Sequence, residues 1–121
     1  MDEALRGHLE EIKKVLNSFG WWVEKAGTTI HKSDIIMAVY CIEQWRAEAE
    51  ALLMQDEDGT RINELLVVWI GSARQHLEKE PLSDFHAVWD LLYIDPNLST
   101  IIMKIDTFVY KHTGDIRTFL L

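Results

Sequence analysis

Apolar residues return at steps of three and four along almost the whole chain, and this spacing restricts the fold more than any other feature. Leu5, Leu9, Ile12, Val15, Leu16, Phe19, Val23 and Ala26 form one stripe. It keeps its phase on both sides of Gly20, so a single helix is predicted over 3–26, with Gly27 as its stop. The cost of that interior glycine is about 1 kcal/mol relative to alanine.

A second stripe, Ile35, Ala38, Val39, Ile42, Trp45, Ala49, Leu52 and Leu53, predicts a helix over 34–55, with Ser33 and Asp34 as cap and early negative charge. Ile36, Met37, Tyr40 and Cys41 add apolar residues on its other sides, which makes its first half the expected most enclosed element. The stretch QDEDGT reads as a polar turn carrying Asp-Gly. Thr60 then caps a third helix over 61–79, with Ile62, Leu65, Leu66, Trp69, Ala73 and Leu77 on one face. A short fourth helix is predicted over 84–94 with Phe85, Val88, Trp89 and Leu92 inward, and a fifth over 98–113, ended by Gly114.

No segment alternates as a strand would, and no repeat period is visible. The fold class is therefore all-α: a single-domain irregular bundle of about five helices spanning 1–121. The tail ends Phe119-Leu120-Leu121 and is either tucked onto the bundle or used against a partner.

Composition narrows the functional classes. No uninterrupted apolar run approaches the roughly 18–20 residues of a membrane span. No basic-then-apolar leader opens the chain, and the lone Cys41 excludes an internal disulfide, so the expected compartment is the cytoplasm, or a host cytoplasm for a phage product. The formal charge is −8. Between Glu43 and Glu64 seven acids face only Arg46 and Arg61, a local balance of −5. Such a field repels nucleic acid and anionic membrane and favours a basic partner. Lys13-Lys14 is the one adjacent basic pair, with Glu10 and Glu11 beside it.

Catalytic spacings are missing. There is no Gly-rich phosphate loop, no Gly-x-Ser-x-Gly, no His-Glu-x-x-His and no Glu-x-x-His pair of the di-iron bundle type. The reading is of a chain without catalysis and without a cofactor. His8, His76 and His112 fall on apolar stripes and are the only candidate metal set, for a helical hydrolase. In a simple up-and-down arrangement His76 and His112 would lie near one end and His8 near the other. Arg46 falls on the inner side of its helix, within reach of Glu43 and Glu50, or of another helix or a partner.

Five tryptophans are many for this length. Trp45, Trp69 and Trp89 sit on their stripes as core residues. Trp22 lies at the margin of the first stripe, whereas Trp21 lies opposite it among Glu3, Glu10, Lys14 and Lys25. Trp21 is thus either a partner anchor or covered by a neighbouring loop.

These features converge on a small acidic protein-binding domain that inhibits a basic, nucleic-acid-handling protein such as a nuclease. Immunity proteins and phage anti-defence or anti-CRISPR proteins are settings of that kind. Steering would fall to Glu48, Glu50, Asp56, Glu57, Asp58 and Glu64, and anchoring to Trp21 and Phe119. The alternative is a homo-oligomeric structural or adaptor protein that buries Trp21 and the tail across a two-fold axis.

Overall fold

A computed structural model describes residues 1–24, 31–78 and 91–120, the side chains of residues 21–24 excepted. Four α-helices run through these residues: α1 (Glu3–Glu24), α2 (Lys32–Leu53), α3 (Glu57–Glu78) and α4 (Leu98–Thr113). A short 3-10 helix, Ile116–Leu120, follows. No strand occurs among the described residues. No helix among them is long and apolar enough to cross a membrane.

Each helix packs on the two either side of it: α1 on α2, α2 on α3, α3 on α4, and α4 back on α1. Cross-helix polar pairs fix the directions. Arg46 meets Asn63 and Glu43 meets Arg74, so α2 and α3 are antiparallel. Lys13 meets Asp106 and Arg6 meets Asp115, so α4 runs back along α1. One cluster fills the centre, with Leu9, Ile12, Leu16 and Phe19 from α1, Ile35, Val39, Ile42 and Leu53 from α2, Leu66, Trp69 and Ala73 from α3, and Ile101, Ile105 and Phe108 from α4. Trp69 is fully buried and stacks on Phe19 at 5.8 Å between ring centroids.

α1 passes through Gly20 without a break, as its stripe predicts. α4 keeps the predicted bounds. Asn97 caps it by accepting the amide of Ser99 at 2.8 Å, and Gly114 ends it with φ 68°, a left-handed conformation that suits glycine. The predicted helix over 84–94 lies mostly outside the described residues, as do the predicted stop at Gly27 and the core positions Phe85, Val88 and Trp89.

Three expectations are corrected. α2 begins two residues earlier than predicted, with His31 rather than Ser33 at the cap; the His31 amide donates to the Asp34 carboxylate at 3.2 Å. α3 begins at Glu57 rather than 61, because Asp56 caps it instead of Thr60. The Asp56 carboxylate accepts the amides of Asp58 (2.8 Å) and Gly59 (3.3 Å), while Thr60 sits inside the first turn with its hydroxyl on the Asp56 carbonyl. The Asp-Gly pair that reads as a turn is helix. Third, the first half of α2 is not the most enclosed element. Ile35, Val39 and Ile42 are buried, but Ile36, Met37 and Tyr40 are exposed and Cys41 is half-buried. A ring of four helices has no central member, so each helix has one inward face only.

Candidate functional site

The α2–α3 corner gathers the acids singled out by charge. Glu48 and Glu50 lie in the last turns of α2, Asp56 in the connection, Glu57 and Asp58 in the first turn of α3, and Glu64 further along it. Most have a basic side chain as neighbour. Glu48 faces His8 at 3.4 Å, Glu50 faces Arg46 at 3.7 Å and Glu64 faces Arg61 at 3.4 Å. Asp58 meets Lys111 at 2.9 Å, and Asp56 faces His112 at 3.4 Å.

The amide of Asp58 above all, then that of Gly59 and the charges of His112 and Lys111, hold the Asp56 carboxyl below the usual range. Asp58 in turn pushes the Lys111 ammonium up. Asp56 is thus half-buried and engaged at the start of α3, whereas Glu48, Glu50, Glu57, Asp58 and Glu64 stay exposed at the surface.

Arg46 does cross to another helix. Its guanidinium donates to the buried Asn63 side chain at 3.0 Å, while Glu43 pairs with Arg74. The histidines do not gather as expected. α4 runs antiparallel to both α1 and α3, so its last turn brings His112 to the end of the bundle that holds His8. His76 lies in the last turn of α3, about 27 Å further along the axis from Asp58. No group of three or more His, Cys, Asp or Glu that could hold a metal occurs among the described residues. Trp21 falls within α1, and its side chain lies outside the described residues.

The C-terminal tail makes a second surface. Phe119 packs on Tyr110 with ring centroids 5.5 Å apart and remains 46% exposed. Ile116 and Leu120 are 62% and 82% exposed. Asp115 and Thr118 of the tail face inward, while Arg117 stays in solvent. Asp115 accepts from Arg6 of α1 (3.1 Å) and from Arg117 at both oxygens (3.0 Å each), and these guanidinium contacts, Arg117 first, hold its carboxyl well below the usual carboxylate range. Lys13 reaches across to donate to the Thr118 carbonyl at 2.7 Å.

Lys13 itself is what the sequence reading missed. It is only 7% exposed, and its ammonium lies 2.7 Å from the carboxylate of Asp106, itself 8% exposed. The pair forms the floor of a groove of about 490 Å³ between α1 and α4, with Glu10, Asn17, Val109 and Thr118 in its walls. A signal was present: Lys13 follows Ile12 and Asp106 follows Ile105, each one step from a stripe residue. That step of about 100° carries both just past the edge of the apolar face, so only their nearness to it marks them in the sequence.

Comparison with protein-family models, with curated proteins and with solved structures finds no match.

Proposed function

We propose that this chain is a small acidic protein-binding domain that acts by occupying a basic, nucleic-acid-handling partner, with no catalysis of its own. The observation that carries the reading is the α2–α3 corner. Its six carboxylates outnumber the permanent cations Arg46, Arg61 and Lys111 set against them, in a chain of charge −8. An excess of one sign on a rigid surface raises the rate of encounter with the opposite sign and disfavours acidic partners. Steering rests on Glu48, Glu50, Glu57 and Glu64 more than on Asp56, which is committed to capping α3.

Pull-down from the native cells, read by mass spectrometry, is expected to return a basic nucleic-acid-binding protein. With that partner purified, the variant Glu50→Lys, Glu57→Gln, Glu64→Lys should associate roughly tenfold more slowly at low salt, with unchanged circular dichroism. Glutamine at 57 spares the helix N-terminus a positive charge. An unchanged association rate at low salt would remove the steering argument.

A second reading, self-association as an adaptor, is supported by the exposed Ile116, Phe119 and Leu120. Large apolar side chains held in solvent on an ordered segment suit a protein contact.

A further inference from the structure

The tail is built inside out. A segment that folds back for its own stability buries its apolar residues. This one buries Thr118 and its carbonyl, leaves Ile116 and Leu120 largely in water and covers Phe119 only in part. Two polar ties to α1 hold it, the Lys13 ammonium on the Thr118 carbonyl and Arg6 on Asp115, beside one ring contact, Phe119 on Tyr110 of α4. Such ties exchange readily for water or for another partner, because each donor and acceptor is solvated when the tie breaks. One group even disfavours the docked state: the buried Thr118 hydroxyl has no hydrogen-bond partner among the described residues. Undocking returns it to water.

We propose that residues 114–120 form a releasable strap across the α1–α4 groove, fastened by Lys13 and Arg6, that opens without unfolding the bundle. Closed, the strap supplies the Thr118 wall of the groove. Open, it lays the groove wall bare beside Val109 and frees Phe119 and Leu120 together as a mobile apolar segment. Lys13 keeps Asp106 in either state, so the floor of the groove survives opening. The fastening works through two separate sites on α1, seven residues apart, so each can be cut alone.

Hydrogen–deuterium exchange of the full chain, read by mass spectrometry, tests this. The strap peptide should exchange faster than α1–α4 but slower than unstructured chain. Arg6→Gln and Asp115→Ala should each speed its exchange about tenfold, while core exchange and the melting temperature stay as they were. Lys13→Met should speed it further. Should that variant fail to fold, Arg6→Gln decides alone, because Arg6 lies at the surface. Three results would overturn the proposal: strap and core exchanging at one rate, a strap already fully exchanged in the wild type, or no response to Arg6→Gln.

Discussion

At Gly59 the missing side chain is what lets α3 start against the end of α2. A Cβ there would collide with the Leu53 carbonyl, which is backbone and has nowhere to go. Gly59→Ala should therefore cost about 1–3 kcal/mol, the range of overpacking, instead of the gain that alanine brings to a helix. Chemical denaturation with an unchanged m-value would measure it, and a gain in stability would refute the close approach. Residue identity alone reads this glycine as a turn former, because Asp-Gly has two uses and only the position of Leu53 distinguishes them. Lys13 is the parallel case. Beside Lys14 it resembles half of a surface basic pair, and the partner that draws it inward, Asp106, lies in another helix. A buried charge is tolerated only when paired, so the sequence of α1 by itself argues against burying it. The misreading comes from a long-range contact.

The same division holds at the scale of elements. α1 and α4 were legible because each carries a long stripe, and α4 has punctuation of one meaning, Asn97 before it and Gly114 after it. The start of α3 was not, since Asp56 and Thr60 are both good caps and four residues apart. The carboxylate wins by accepting two amides. This cap has a pH signature. Its carboxyl is held below the unfolded value of about 4, so the stability it adds is present above that pH and fades as pH falls through the lower folded value. Asp56→Ala should lower the melting temperature at pH 7, and the gap to wild type should narrow steadily on acidification below about pH 4. A gap that stays constant with pH would show that the charge of Asp56 is not what caps the helix.

For the whole molecule, the arrangement rests on the direction of α4. Because it runs back along α1 and beside α3, its last turn brings Lys111 and His112 to the acidic start of α3 and hands the tail to α1. The charge excess and the exposed tail thus become two surfaces of different character, one acidic and one apolar. They can be separated by experiment. If the tail mediates self-association, the double variant Phe119→Asp, Leu120→Asp should shift the chain toward monomer in sedimentation without slowing encounter with a basic partner. An assembly that persists in this variant would place the contact elsewhere.

The sequence by itself determined that the chain is helical, which stripe of α1, α3 and α4 turns to the core, and that acids crowd the α2–α3 corner. These are local properties, set by residue type and by a period of 3.6, and they need no knowledge of neighbours. The tertiary structure alone decided which helix faces which, and with it the burial of Lys13, the need for glycine at 59, the end at which His112 sits, and the fastening of the tail. Each depends on a contact between residues far apart in the chain. Periodicity says which face of a helix turns inward, but not what it meets there.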